Sequence, residues 1–418
     1  MLWQLSVKNP RIYAKRPYSK YDKMKFMAIF GTRPEAIKLV PVIRRLRELG
    51  CHVVICVTAQ QREMLDQSLS FFEIAPDYDL DIMTDHQDLF YVTTEALVRL
   101  KKVLEHEEPD VVLVQGDTTT AFTASLAAFY LQIPIGHIEA GLRTNNKYNP
   151  FPEEKNRHLI GVLADYHFAP TELARGNLTK EGIPESQIWV TGNTVIDTLL
   201  EVINRQSSDV KQEELGRYFN ERWRLTLTDD NQKLILVTGH RRESFGEDFK
   251  NICMALKEIA EKNPDVTIVY PVHLNPNVQK PVYEILGSGL ANQIDGTTPK
   301  NIFLLEPLEY EYFVYLMSKA YIILTDSGGI QEEAPSLHKP VLVMRNTTER
   351  SEGIEANTLR LVGTKKDVIS REAQQLLDNK DTYDKMSRTI NPYGDGKAAG
   401  RIVDVLTNNL TSGGNSEK

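Results

Sequence analysis

Short apolar runs alternate with amphipathic stretches from Met24 onward. The apolar runs are bounded by turn residues, which is typical of buried strands in a parallel sheet. Between them, apolar positions recur with the spacing of one helix face, for example over Ala36–Leu49 and Thr118–Leu131. The first half of this pattern predicts strands at Lys25–Phe30, His52–Val57, Val111–Val114, Ile135–Ile138, Tyr166–Ala169 and Ile188–Val190.

The alternation pauses in a polar stretch, roughly Asn204 to Lys233, and then begins again. The restart predicts two doubly wound α/β domains with a boundary near 195–230. We expect residues 24–200 to form an N-terminal domain and residues 201–392 a C-terminal one. Residues 1–23 are basic, precede the first strand and form an extension that we expect to be dispensable. The second set of strands is predicted at Leu234–Val237, Val266–Tyr270, Ile302–Leu305, Tyr321–Leu324 and Val341–Met344.

Composition excludes several classes of protein. A formal net charge of −8 disfavours a dedicated nucleic-acid binder. The chain has no run of about 18 apolar residues, so we expect no membrane span. Cys51, Cys56 and Cys253 provide no disulfide framework, which indicates reduced thiols in a cytoplasmic protein. No ligand set for a metal is visible, and we predict neither a metal nor a redox cofactor.

Carboxylates follow the predicted strands of the first half. In doubly wound sheets, ligands bind beyond the carboxyl ends of the strands, where Asp117 and Glu139 lie. Glu153 comes just after a Pro-broken loop at 145–152. Three carboxylates that converge repel one another, which raises at least one pKa and suits acid/base work. Helix capping is the alternative role for Asp117, and a first-turn acid that favours the helix dipole is the alternative for Glu153.

Cations and glycines follow other strands. Arg33 and Lys38, in GTRPEAIK, come after the first strand, and the His240-Arg241-Arg242 cluster follows the first strand of the second half. His273 ends the next strand. Arginine forks suit phosphate oxygens, whereas a solvated basic loop is the alternative.

The sequence TDSGGIQEEAP, Thr325 to Pro335, joins a buried strand to a helix. Ser327, Gly328 and Gly329 would place exposed backbone N–H groups at a helix N-terminus, where an anion is favoured. Glu333 offers a carboxylate to a ribose diol. A phosphate group beside a ribose indicates a nucleotide, most plausibly a nucleotide-sugar, although an ordinary capped helix start shares this pattern.

Taken together, these motifs resemble the non-hydrolysing UDP-N-acetylglucosamine 2-epimerase family. The resemblance covers roughly Met24 to Leu406. It implies a glycosyltransferase-B-type fold, in which two Rossmann-like domains face a central cleft and a C-terminal helix, about 393–410 here, crosses back to the first domain. The matching sequences, in order, are GTRPEAIK, QGDTTT, HIEAGLRT, FPEEKNR, TGNTVID, TGHRRESFG, YPVHLNPNV, TDSGGIQEEAPSLHKPVLVMRNTTER and NPYGDG.

The resemblance implies an isomerase that interconverts UDP-N-acetylglucosamine and UDP-N-acetylmannosamine by eliminating and re-adding UDP. It also implies a homodimer and a supply of N-acetylmannosamine to cell-surface polysaccharide. In this family pattern, Asp117, Glu139 and Glu153 are acid/base candidates and His240 stabilises the leaving diphosphate. The remaining substrate contacts would come from Arg33, Lys38, Arg241, His273, Ser327, Gly328, Gly329 and Glu333, with Leu308, Phe313 and Arg350 at the uridine end.

Three other functions fit parts of the same pattern. A glycosyltransferase of the same fold shares the nucleotide grip, and a hydrolysing 2-epimerase would release free N-acetylmannosamine and UDP. A nucleotide-sugar sensor would keep Ser327–Gly329 and Glu333 but has no need for Asp117, Glu139 and Glu153 together. The three carboxylates therefore favour an enzyme.

Overall fold

The computed structural model describes residues 21–59, 62–84, 87–227, 233–287 and 299–412. Residues 1–20 of the predicted extension lie outside the described residues. The described chain forms two compact units. The first comprises the residues up to Thr198 and those from Tyr393 onward, and the second comprises Leu199–Pro392.

The first unit is built on a parallel sheet. Its strands are β1 (Lys25–Phe30), β2 (His52–Val57), β3 (Tyr78–Asp79), β4 (Val111–Gln115), β5 (Ile135–Ile138), β6 (Tyr166–Ala169) and β7 (Ile188–Val190). They pair in the order β3–β2–β1–β4–β5–β6–β7. The helices that connect them are α1 (Arg33–Glu48), α2 (Arg62–Phe71), α3 (Leu89–Glu107), α4 (Thr119–Tyr130), α5 (Glu153–Leu163), α6 (Glu172–Lys180) and α7 (Thr194–Arg205).

The second unit repeats this plan. Its strands are β8 (Lys233–Thr238), β9 (Val266–Pro271), β10 (Ile302–Leu305), β11 (Ile322–Thr325), β12 (Val341–Val343) and β13 (Leu359–Leu361), in the order β10–β9–β8–β11–β12–β13. Its helices are α8 (Asp209–Trp223), α9 (Glu247–Lys262), α10 (Pro276–Leu286), α11 (Tyr310–Lys319), α12 (Gly328–Glu333), α13 (Ser351–Glu355), α14 (Lys366–Asp378) and α15 (Lys380–Ser387). The last helix, α16 (Ala398–Ser412), belongs to the first unit.

Apolar strands and helix faces form the core of each unit. In the first unit, α3, α4 and α5 cover one face of the sheet with buried alanine, valine, leucine and isoleucine side chains. On the other side, α16 packs against α1, and the Asp197 carboxylate accepts the N–H groups of Ala398 and Ala399 at 3.2 and 2.9 Å. This carboxylate caps the N-terminus of α16 and fixes where the helix begins.

Both sheets reverse their winding direction at one position. In the first sheet β1 lies between β2 and β4, and in the second β8 lies between β9 and β11. At such a switch point the two loops that leave the sheet diverge, which opens a crevice where ligands bind. The prediction of two doubly wound, Rossmann-like domains is therefore confirmed.

Some elements differ from the prediction. The polar stretch at 204–233 contains α8, whose buried Leu215, Phe219 and Trp223 recur every four residues. These residues form one narrow apolar stripe, and charged residues outnumber the apolar ones over α8. The sequence therefore reads as a polar connection. The short edge strands β3 and β13 carry too few residues for a period-2 pattern. The strand predicted at Tyr321–Leu324 is observed at Ile322–Thr325, one residue later.

Within the described part of the chain, every helix is too short or too polar to cross a lipid bilayer. The His, Cys, Asp and Glu side chains of the same residues do not gather in groups of three or more that could hold a metal ion.

Candidate functional site

The turn after β1 is shaped by a buried glutamate. Glu35, in the first turn of α1, accepts the backbone N–H groups of Gly31 at 3.0 Å and Thr32 at 2.8 Å through Oε2. Its Oε1 accepts the Thr118 hydroxyl at 2.7 Å, from the loop after β4. Glu35 thus joins the two loops that diverge at the switch point of the first sheet. Burial raises the pKa of Glu35 to about 7, although these hydrogen bonds oppose the shift.

Asp117 and Glu139 meet at the carboxyl edge of the first sheet, where Arg157 of α5 contacts both. The Arg157 guanidinium pairs with the Asp117 carboxylate, lies 3.3 Å from Glu139 Oε1 and donates to the Glu139 carbonyl oxygen. Asn156, the preceding residue of α5, donates to the Asp117 carbonyl oxygen at 3.0 Å. The two carboxylates that follow β4 and β5 are therefore held by one arginine.

Glu139 is buried among polar donors. Its side chain is only 4% exposed, and Oε2 receives Lys38 of α1 and the Asn193 amide, the latter at 2.9 Å. Asn193 follows β7, and its backbone N–H donates to the Tyr393 carbonyl oxygen at 2.7 Å. Residues from three parts of the first unit, α1, α5 and the segment after β7, thus converge on one carboxylate.

Positively charged side chains lie beside Asp117 and Glu139. Repulsion between Asp117 and Glu139 is offset by the positive charges of Arg157 and Lys38, which lie against them. A carboxylate with cationic donors is favoured in its charged form. Burial raises the pKa of the neighbouring Glu35 carboxyl.

Arg33 and Glu153 open the helices α1 and α5 at the same sheet edge. Both are partly exposed, so their side chains are accessible to a ligand. Glu153 lies one helical turn before Arg157, a separation that places side chains on the same face of a helix. The start of α5 therefore brings Glu153 to the region of Asp117 and Glu139.

In the second unit, His240 and Arg241 follow β8, beside the start of α12. Asp326 Oδ2 accepts their backbone N–H groups at 2.7 and 2.8 Å. The His240 ring stacks on His273, which follows β9, with 5.2 Å between ring centroids. The predicted cationic cluster and His273 therefore share the switch point of the second sheet with Ser327.

Gly328 and Gly329 have different surroundings. A Cβ atom on Gly328 would lie 2.9 Å from the Arg350 guanidinium, whereas one on Gly329 would meet no atom within 4 Å. Arg350 pairs with Glu332 at 2.9 Å and with Glu349. Gly328 is thus required by the packing of Arg350, and Gly329 leaves space beside the backbone.

The remaining candidates surround α11 and the end of α12. Glu333 is buried, and its Oε1 accepts the Tyr310 hydroxyl at 2.9 Å. Leu308 and Phe313 are half-buried, just before and within α11. Arg350, predicted at the uridine end of the substrate, pairs with Glu332 and Glu349.

Four polar residues of these clusters were not among the predicted site residues. Arg157 and Asn193 contact Glu139, while Glu35 and Asp326 hold loops at the two switch points. Asn193 and Asp326 follow β7 and β11, so their strand-end positions are the signal that identifies them. Arg157 is signalled only by its helical spacing from Glu153, and nothing local distinguishes Glu35 from a capping residue.

Known proteins named UDP-N-acetylglucosamine 2-epimerase match nearly the whole chain. A sequence model of the family described as UDP-N-acetylglucosamine 2-epimerase matches residues 44–407. A protein named UDP-N-acetylglucosamine 2-epimerase from Escherichia coli O157:H7 is 54% identical over 391 residues, covering 93% of this chain and 100% of the relative.

Solved structures give the same result. The structure of UDP-GlcNAc 2-epimerase from Neisseria meningitidis bound to UDP-GlcNAc is 50% identical with a TM-score of 0.84, and the match covers 92% of this chain and 100% of that one. The enzyme from Methanocaldococcus jannaschii in complex with UDP-GlcNAc and UDP is 35% identical with a TM-score of 0.75, over 92% and 100% of the two chains. The resemblance predicted from sequence is confirmed, and the chain belongs to the UDP-N-acetylglucosamine 2-epimerase family.

Proposed function

We propose that this protein is an isomerase that interconverts UDP-N-acetylglucosamine and UDP-N-acetylmannosamine by inverting C2 of the sugar. Family membership and the UDP-GlcNAc bound in the Neisseria meningitidis relative support the substrate. The observation that carries the chemistry is the pair of carboxylates, Asp117 and Glu139, that Arg157 holds at the switch point of the first sheet. Such a pair suits proton transfer at a carbon atom.

The proposed reaction is an elimination followed by a re-addition. The C2 proton has no adjacent ketone to make it acidic, so its removal is coupled to cleavage of the C1–O bond. A base takes the proton, the electron pair forms the C1–C2 double bond, and UDP leaves with the bonding electrons. UDP then re-adds to 2-acetamidoglucal while a proton returns to the opposite face of C2. Asp117, Glu139 and Glu153 together supply the acid and base for the two faces.

The second unit is proposed to hold the nucleotide. Backbone N–H groups of Ser327, Gly328 and Gly329 would contact phosphate, with His240 and Arg241 on the departing diphosphate. The ribose would be bound by Glu333, and the substrate would also contact Arg33, Lys38, His273, Leu308, Phe313 and Arg350. Support comes from the position of His240, Arg241, His273 and Ser327 at the switch point of the second sheet and from the relatives that bind UDP-GlcNAc and UDP.

A proton NMR assay tests this function. We expect UDP-N-acetylglucosamine incubated with the protein to give UDP-N-acetylmannosamine until the two reach equilibrium. Free N-acetylmannosamine with UDP would indicate a hydrolysing enzyme instead, and an unchanged substrate would contradict the proposal. UDP-N-acetylmannosamine would then feed a reaction that builds N-acetylmannosamine into cell-surface polysaccharide.

A matched pair of variants locates the chemistry. Glu139→Gln keeps the side-chain shape but removes the titratable group, so kcat should fall by about 10²- to 10⁴-fold. Glu107→Gln changes another glutamate that pairs with a lysine, Lys25, at the opposite edge of the same sheet. Its kcat should stay within about threefold of the unchanged protein. Equal losses in the two variants would contradict the role of Glu139.

We also propose a homodimer formed through the layer of α3, α4 and α5. On the side away from the sheet, these helices expose Val98, Phe129 and Val162, the last at 78%. Exposed apolar side chains on adjacent helices are typical of a subunit interface. Val162→Lys should shift the mass measured by light scattering from two chains toward one. Val210→Lys, at an equally exposed valine on α8, should not, and a monomeric unchanged protein would contradict the proposal.

A further inference from the structure

We propose that Asp326 is a positioning residue that orients the His240 imidazole and joins the two loops that grip the diphosphate. The proposal rests on the proposed function, in which His240 faces the leaving diphosphate. Asp326 lies at the end of β11, directly before Ser327, and is completely buried.

One carboxylate oxygen of Asp326 fixes the backbone around His240. Oδ2 accepts the N–H groups of His240 and Arg241 at 2.7 and 2.8 Å. On the other side of the histidine, the Tyr270 hydroxyl donates to the Gly239 carbonyl oxygen at 2.7 Å. The loop after β8 is thus tied to the residue that precedes the predicted phosphate-binding backbone, and one carboxylate connects the two parts of the grip.

The second carboxylate oxygen faces the imidazole itself. Oδ1 is buried without a hydrogen-bond partner among the described residues, and it lies 3.6 Å from His240 Nδ1. This separation is an ion-pair distance rather than a hydrogen bond. A buried carboxylate oxygen without a donor is unfavourable, so a proton on Nδ1 is favoured over a lone pair there. Asp326 therefore selects the Nδ1–H tautomer and stabilises the cationic ring.

His273 restricts the same ring from another direction. The two imidazoles are stacked with an interplanar angle of 13° and 5.2 Å between centroids. Nε2 of His240 is the ring nitrogen farther from Asp326, and its side chain is 39% exposed. In the charged ring Nε2 carries the proton that would be donated to the diphosphate, as negative charge develops when the C1–O bond breaks.

Asp326→Asn tests the proposal with little change in shape. The asparagine oxygen can still accept the two backbone N–H groups, but its amide N–H₂ then faces Nδ1 and favours the opposite tautomer. We expect kcat to fall by about 10- to 100-fold, the range for one hydrogen bond to a charged group. KM should change little, and the melting temperature should stay near that of the unchanged protein.

A double-mutant cycle shows whether Asp326 acts through His240. In a His240→Asn background, Asp326→Asn should lower kcat by less than about threefold, because the imidazole it orients is absent. An equal loss in both backgrounds would show that Asp326 acts independently of the histidine and would overturn the proposal.

The tautomer of His240 can be measured by NMR, without an activity assay. Nitrogen NMR of histidine-labelled protein, with His240 assigned from the spectrum of His240→Asn, should show the proton on Nδ1 in the unchanged protein and on Nε2 in Asp326→Asn. A neutral His240 with its proton on Nε2 in the unchanged protein would overturn the proposal even if the Asp326 variant did not fold. Absence of epimerisation in the unchanged protein would instead contradict the proposed function and leave the tautomer as the deciding observation.

Discussion

Glu139 has an unusual backbone for a glutamate, with φ at 66° in the left-handed region. A residue with a side chain disfavours this conformation by about 1 kcal/mol or more. Here Arg157 binds the carbonyl oxygen, while Lys38 and Asn193 bind the carboxylate. These contacts offset the strain, and they place the carboxylate beside Asp117. Strain retained at a polar cluster is typical of a functional position.

We expect the shape of the Arg157 guanidinium, which contacts Asp117 and Glu139 together, to affect activity more than its positive charge does. Arg157→Gln leaves two carboxylates near one another without their shared cation, and we expect unfolding to become easier by about 3 kcal/mol. Arg157→Lys keeps the charge, but one ammonium group cannot contact the Asp117 carboxylate and also the carbonyl oxygen and carboxylate of Glu139. We therefore expect kcat to fall by about 100-fold, with a smaller loss of stability than in Arg157→Gln.

Arg143→Lys is the control for this substitution. Arg143 is also buried and binds one carboxylate, Glu181, through two nitrogens at 2.7 Å each. We expect Arg143→Lys to change the free energy of unfolding, measured in urea, by about as much as Arg157→Lys does, and to retain kcat. Equal losses of kcat in Arg143→Lys and Arg157→Lys would contradict the prediction that Arg157 positions Asp117 and Glu139 for the reaction.

The two glycines of α12 separate packing from ligand binding. Gly329→Ala should leave the melting temperature unchanged or slightly raised, because its Cβ meets no atom and alanine favours a helix. The same methyl group should lower UDP affinity at least about tenfold if phosphate approaches this backbone. Gly328→Ala should lower both quantities, because its Cβ meets Arg350. Calorimetry that finds unchanged UDP affinity in Gly329→Ala would argue against phosphate at this position.

The paired strands β5 and β6 bury two neutral histidines next to the Asp117 loop. His137 and His167 are paired across the strands. His137 Nε2 donates to the carbonyl oxygen of Gly116, just before Asp117, at 2.7 Å. Burial lowers the pKa of His137 well below its usual value and that of His167 to about 4. These strands therefore hold the loop that carries Asp117 with neutral rings, and protonation in acid disfavours the fold.

The pH dependence of stability has a defined sign for His167. Its folded-state pKa is depressed, so the unfolded chain binds the proton more readily, and stability is lost as pH falls from about 6.5 toward 4. His167→Leu should remove about 2 kcal/mol of the change in unfolding free energy between pH 6.5 and 5.

The prediction concerns the difference between His167→Leu and the unchanged protein in how the unfolding free energy depends on pH. The raised pKa of Glu35 changes stability in the opposite sense over part of this range, and that effect is common to both proteins. His52→Gln, at an exposed histidine, should keep the full pH dependence in urea unfolding. Identical pH dependence in His167→Leu and the unchanged protein would show that His167 does not titrate as described.

Across the two units, the sequence predicts the sheets well because buried parallel strands are continuous apolar runs. It also predicts which strand ends carry clustered polar side chains, since a doubly wound sheet collects its carboxyl strand ends at one edge. It does not predict Arg157, whose role depends on α5 packing across β4 and β5, or Glu35, whose partner Thr118 is 83 residues away. Helix α8 was missed because three buried residues per helix give a weak periodic signal.

The difference between Gly328 and Gly329 is also beyond the sequence. Both belong to the same SGG motif, and both permit close approach of a ligand. Only the position of Arg350, which depends on Glu332 and Glu349, makes one of them a packing requirement. Long-range contacts between side chains thus decide what a local motif leaves open.

In the proposed reaction, C2 is inverted through elimination, and the C2 proton passes through a carboxyl group of the protein. The most direct test is to run the reaction with UDP-N-acetylglucosamine in deuterium oxide and examine C2 of the product by proton NMR. A carboxyl group exchanges its proton with solvent, so we predict UDP-N-acetylmannosamine that carries deuterium at C2, together with free 2-acetamidoglucal and UDP released occasionally at long incubation. Product that retains protium at C2 would contradict the elimination mechanism.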